Sequence, residues 1–141
     1  MTAKAILFIN IQMNKNLFHI CLIGIIFIMM VGCKRASTSE KFAQKAVLEN
    51  KTYPQKINDS IIIDSTRFDV ATNTLRYFYT VSKGLDNEQL LKTYHSEIWN
   101  GLKAELENSV QMKPYLDAHC NIHYVYYSES TRKKIAEFVF K

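Results

Sequence analysis

The apolar positions of this chain follow several different rhythms. Residues 17–31 (LFHICLIGIIFIMMV) form a run broken by only one strongly polar residue, His19. Beyond it, Ser37 and Glu40 have capping-box spacing, and Phe42, Ala43, Ala46 and Val47 recur at helical intervals as far as Asn50, which predicts a first helix. Tyr53-Pro54 ends it. A β-branched run that opens with Ile61, Ile62 and Ile63 and continues to Phe68 predicts a strand, and residues 69–73 carry turn chemistry. Leu75, Tyr77, Tyr79 and Val81 then alternate with Arg76, Phe78 and Thr80, the two-residue period of a strand with two different faces.

Lys83-Gly84 interrupts this alternation. Asp86 and Gln89 repeat the capping-box spacing, and Leu91, Tyr94, Ile98, Leu102 and Leu106 mark one face of a second helix, with Glu88, Lys92, Lys103 and Glu107 on the other. In 112–118, Pro114 can start a short extra turn. Strands are predicted at about 121–128 and 133–140, joined through Glu129-Ser130-Thr131-Arg132 as a hairpin. The order α-β-β-α-β-β predicts an α+β fold in which two helices pack on one face of a small, mainly antiparallel four-stranded sheet. This domain is expected over residues 39–141.

The run 17–31 follows Lys15 and precedes the small residue Gly32, the layout of a signal peptide over residues 1–32. It is short of the roughly 20 apolar residues of a membrane span, so an uncleaved single-span protein is the weaker alternative. Starting at Met13 would give a leader of ordinary proportions, which makes residues 1–12 a dispensable extension.

Met30-Val31-Gly32-Cys33 resembles the lipobox of bacterial lipoproteins, with Met30 in place of the usual leucine. The resemblance implies cleavage by signal peptidase II between Gly32 and Cys33, a diacylglycerol on the Cys33 sulfur, and acylation of the freed amine. Residues 33–38 would then be the lipidated cysteine and a short tether, and the partner of Cys33 is the lipid bilayer. By the family's sorting habit Lys34 implies the outer membrane, and the absence of an acidic stretch after the cysteine favours its periplasmic side. The aromatic runs Tyr77-Phe78-Tyr79-Thr80-Val81 and Tyr124-Val125-Tyr126 resemble only small uncharacterised exported bacterial proteins, which have no defined activity to lend.

Composition narrows the function classes. With 48% hydrophobic residues and four glycines, the chain is neither disordered nor collagen-like. Its net charge of +5 falls to +3 once Lys4 and Lys15 leave with the leader, and no basic stripe appears, so nucleic acid is not an expected partner. Cys21 leaves as well and Cys33 is consumed by lipid. Cys120 is then a solitary thiol, expected to be a small buried hydrophobe.

Site chemistry is sparse. His95, His119 and His123 with Cys120 could be imagined as a zinc site or a thiol–histidine pair, but His119 and His123 converge only on a helix, whereas their surroundings predict a strand. No catalytic residue, metal ligand or cofactor is expected. The aromatic strands suggest instead a binding surface. If Tyr77 and Tyr79 face the helices, Phe78 lies on the opposite face beside Arg76, joined by either Tyr124 and Tyr126 or Val125 and Tyr127. Arg76, Phe78 and Tyr127 are the candidate residues, and an envelope protein is the candidate partner. The favoured expectation is a membrane-anchored, non-enzymatic binding or accessory lipoprotein. The alternative is a small periplasmic enzyme or metal-binding protein using His95, His119 and His123.

Overall fold

The computed structural model describes residues 36–141, which form one unit. The leader, the alternative start at Met13, the Gly32/Cys33 junction with its lipidation site and the beginning of the tether lie outside the described residues, as does the run that could be an uncleaved span. Among the described residues no helix is long and apolar enough to cross a membrane.

Helix α1 (Thr38–Glu49) starts where its capping box predicts. The Glu40 amide donates to Ser37 Oγ at 3.2 Å and the Ser37 amide to the Glu40 carboxylate at 2.6 Å, so two amides at the helix start are satisfied reciprocally. Phe42 and Ala46, four residues apart, are buried, and the helix packs on strand β2 (Ile61–Asp69). Asn50 fixes its far end: the side chain donates to the Thr66 carbonyl at 2.8 Å and accepts from the Thr66 amide at 2.7 Å. Strand β1 (Gln55–Asn58) pairs with β2 only as far as Ile63. The Asn50 amide therefore takes the place that a neighbouring strand would occupy at Thr66.

Strand β3 (Thr74–Val81) returns antiparallel to β2 through a turn in which Asp69 Oδ1 accepts from the amides of Ala71 (3.0 Å) and Thr72 (3.3 Å). A 3-10 turn (Lys83–Leu85) and helices α2 (Glu88–Thr93), α3 (His95–Asn108) and α4 (Lys113–Asp117) follow. Strand β4 (Asn121–Ser128) then lies parallel to β3, and β5 (Lys134–Phe140) closes the sheet antiparallel to β4. The spatial order is β1-β2-β3-β4-β5.

The sheet thus has five strands and is mixed, where four mainly antiparallel strands were expected. Both differences have local causes. The four residues of β1 are all exposed and show no apolar alternation, so hydrophobic pattern cannot reveal them. The parallel β3–β4 pair follows from the long helical connection, since parallel neighbours require a crossover of a dozen or more residues. The expected second helix is also divided. Its apolar stripe breaks at Tyr94, which is 52% exposed and has φ −99° and ψ 19°, ending α2 and opening α3. The N-cap of α2 is Asn87, whose Oδ1 accepts from the Leu90 amide at 3.0 Å, and not Asp86. The Asp86 carboxylate accepts from the Ser130 amide of the β4–β5 loop instead, at 3.0 Å.

One side of the sheet is the core. Phe68, Leu75, Ile122, Phe138 and Phe140 meet Phe42 and Ala46 of α1, Leu106 of α3, Tyr115 of α4, and Met112 and Cys120. Full burial of each large apolar side chain contributes about 1.5–3 kcal/mol. Three buried hydroxyl residues are bonded: Thr66 Oγ1 donates to the Arg76 carbonyl at 3.1 Å, Thr74 Oγ1 to the Thr72 carbonyl at 3.0 Å, and Ser128 Oγ accepts from the Thr131 amide at 2.9 Å.

Candidate functional site

Parity along β3 and β4 sorts their aromatic side chains onto two faces, and the parallel register aligns them in rows. Leu75, Tyr77 and Tyr79 lie opposite Ile122, Tyr124 and Tyr126 on the core side. Arg76, Phe78 and Thr80 lie opposite His123, Val125 and Tyr127 on the outer side. Of the two sets left open by sequence, Val125 and Tyr127 therefore share the outer face with Phe78.

The outer face is built around Val125, which is only 4% exposed because Phe78 stands beside it on β3 and Glu137 on β5. The Phe78 and Tyr127 rings touch, with centroids 6.5 Å apart. Phe78 is half-buried, since these neighbours cover part of its ring. Polar pairs surround this apolar centre. The Arg76 guanidinium lies 3.9 Å from the Asp69 carboxylate, and Thr80 Oγ1 donates to Asp64 at 2.8 Å. Glu137 joins Lys134 at 2.8 Å and His123 Nδ1 at 2.7 Å. The Lys134 hydrogen bond, and then that of His123, hold the Glu137 carboxyl below its ordinary range. This surface combines aromatic area with fixed charges of both signs, a composition suited to protein contact.

On the core side four tyrosines form a two-by-two block. The centroids of Tyr77 and Tyr124 are 5.7 Å apart and those of Tyr79 and Tyr126 are 5.1 Å apart, in both cases stacked. The flanking helices leave this block between them, α1 lying on β2 and α2 along β5. Burial pushes the phenol of Tyr126 up to about 12 and raises those of Tyr77, Tyr79 and Tyr124 as well, so all four stay neutral. The Tyr77 hydroxyl donates only to the Met112 sulfur, at 3.6 Å. Among the described residues, the buried Tyr115 hydroxyl and the Oε2 atom of Glu49 have no partner. The Glu49 charge further raises both Tyr77 and Tyr115 after burial. Sequence reasoning overlooked this group. Its signal, tyrosines of equal parity on two strands, becomes legible only when the strands are known to be parallel neighbours.

The histidines are not brought together. His95 opens α3 and stacks on Phe138 of the core side, with centroids 4.9 Å apart. His119 is exposed in the turn before β4 with φ 51°, and His123 is paired with Glu137 on the outer face. Among the described residues no three His, Cys, Asp or Glu side chains are grouped to hold a metal. Cys120 is free and buried, at 4% exposure. Its thiol donates to Asn73 Oδ1 at 3.3 Å, and burial pushes its pKa up, the opposite of an activated nucleophile.

The class defined by this geometry is an α+β domain with a mixed sheet, helices on one face and an aromatic, ion-paired surface on the other. The chain belongs to the family described as Domain of unknown function (DUF8479), whose model matches residues 37–136. No curated protein matches it. A crystal structure from Pseudomonas aeruginosa, described as that of a "putative secreted protein", is similar in fold, with a TM-score of 0.62 and 15% identity over 75% of this chain and 88% of that one.

Proposed function

We propose that the protein is an exported lipoprotein of the cell envelope, held through acylated Cys33 at the periplasmic side of the outer membrane. The observation that carries this reading is Met30-Val31-Gly32-Cys33 at the end of an apolar run. Two findings support it. The family match begins at residue 37, four residues after Cys33, and the protein similar in fold is described as secreted.

The folded domain acts as a non-enzymatic binding or accessory module, with the outer sheet face around Arg76, Phe78 and Tyr127 as its contact surface for an envelope protein. The test of the anchor is Cys33→Ser. It abolishes acyl attachment and normal processing, because the diacylglycerol is carried on the cysteine sulfur, and with the acyl chains gone the firm membrane hold they provide is lost as well. Mass spectrometry of the membrane fraction reads the outcome: an unchanged acyl mass and mature N-terminus in the variant would refute it.

One observation favours a second reading, small-molecule binding on the core side. The unpartnered Tyr115 hydroxyl and Glu49 Oε2 would be satisfied by a ligand carrying hydrogen-bond donors. A thermal-shift series of primary amines and sugars against wild type and Glu49→Gln distinguishes such a ligand from ordered water, which leaves every melting temperature unmoved.

A further inference from the structure

We infer that α1 lies along the bilayer surface and so turns the outer sheet face away from the membrane. This rests on the lipoprotein reading and adds an orientation to it. Phe42 and Ala46 bury one face of α1, whereas Val47 is 65% and Leu48 59% exposed. At about 100° per residue, Val47, Gln44 and Leu48 fall on an arc centred opposite Phe42 and Ala46, together with Glu40, whose carboxylate is engaged by the Ser37 amide, and Lys51 follows two residues past the helix end. With Ala43, the residues Gln44, Val47, Leu48 and Lys51 line one shallow surface. Lys41 and Lys51 are exposed, and neither is in an ion pair among the described residues.

The occupant of this face follows from where the chain enters it. Thr38, the first residue of α1, lies five residues after Cys33. At about 3.3–3.6 Å per extended residue, the helix starts within roughly 17 Å of the acylated sulfur's residue. The short linker therefore keeps the start of the helix within reach of the membrane surface. Lys34 and Arg35 in the tether continue the positive charge of Lys41 and Lys51 toward anionic headgroups. Two exposed aliphatic side chains would hold a free helix poorly, but an anchor already in the bilayer makes their contact an intramolecular step at high effective concentration. Val47, Leu48 and the lysine charges then need only set the helix's rotation.

The consequence is directional. The buried side of α1 meets the core side of the sheet, so its outward face and the outer sheet face point in opposite directions. With α1 on the lipid, Arg76, Phe78 and Tyr127 face the periplasmic space, where a protein partner can reach them.

The experiment uses the complete acylated protein in a Cys120→Ala background, carrying either Leu48→Cys on α1 or Arg67→Cys on the outer strand face. Each is labelled with an environment-sensitive fluorophore and reconstituted in phosphatidylethanolamine–phosphatidylglycerol vesicles that contain a nitroxide-labelled lipid. Quenching at position 48 is expected to exceed that at position 67 several-fold, with Cys33 acylation verified by mass. Equal quenching, or more at position 67, in acylated protein overturns the orientation while leaving the anchor intact. Absence of the acyl mass overturns the anchor and the orientation together. Shielding of position 48 that instead tracks dimer formation without vesicles assigns the face to a second copy and overturns the inference.

Discussion

Replacing Phe78 with serine removes the ring that touches Tyr127 and helps cover Val125. A fully buried phenylalanine truncated to alanine costs about 3–5 kcal/mol. Phe78 is half-buried on a face that no helix covers among the described residues, so about half of that, roughly 2 kcal/mol, is expected. For a domain of this size about 1 kcal/mol moves the melting temperature by about 4–8 °C, so Phe78→Ser lowers it by about 8–16 °C and leaves a folded protein. Phe138→Ser is the comparison. That ring is 1% exposed and packs among core residues, so its loss falls at or beyond the upper end of the range. Urea and thermal melts of the unlipidated domain starting near Ser37, followed by circular dichroism, give both numbers. Capture of envelope proteins by the folded Phe78→Ser variant then tests the contact surface. A loss as large as that of Phe138→Ser would make Phe78 part of the core. No measurable loss would mean that its contacts with Tyr127 and Val125 contribute nothing. Either result refutes the picture of a half-covered aromatic surface.

Other expectations follow from single contacts. Ser37→Ala removes the side-chain half of the α1 capping box and destabilises the domain by about 1 kcal/mol, measured by denaturant midpoint. Cys120 resists labelling by a bulky maleimide in the native state, and Cys120→Ala costs about 1 kcal/mol with no other effect; rapid native labelling would contradict its burial. The Glu137 carboxyl is lowered in the fold, so its contribution to stability is present above the ordinary carboxyl value of 4.5 and is lost as pH falls through the lower folded value. Melting temperatures of Glu137→Gln and wild type should therefore converge in acid, and an unchanged gap below pH 4 would contradict the Lys134 and His123 pairing.

Much of the fold was legible because local chemistry and tertiary packing agree. Ser37 and Glu40 announce α1, the alternation through Leu75, Tyr77 and Tyr79 announces β3, and the strand expected at 121–128 matches β4 residue for residue. Elements held by pairing alone were not legible. Gln55–Asn58 becomes a strand only because β2 offers it a ladder, and Asp86 lost the cap to Asn87 because its carboxylate is engaged by the loop beyond β4. For the candidate site, the parity of Phe78 separated the two faces correctly. The tyrosine block and its link to Glu49 depend on which strands are neighbours, and periodicity within one strand carries no information about that.

Under the proposed anchor, the two edges of the sheet bear on how many copies can share a membrane. In the anchored arrangement proposed above, molecules diffuse in two dimensions at high local density, where an open strand edge would invite stacking of one sheet onto the next. Neither edge here is a good template. At one side β1 offers four residues, entered from a proline, distorted between Lys56 and Asn58 and bearing the Lys56 charge, with Asn50 closing β2 beyond it. At the other, the Trp99 indole donates to the Val139 carbonyl of β5 at 3.4 Å and occupies an acceptor that a further strand would need. A dense layer of such molecules can remain a layer of separate domains, each presenting its own outer face, and does not run together into a continuous sheet.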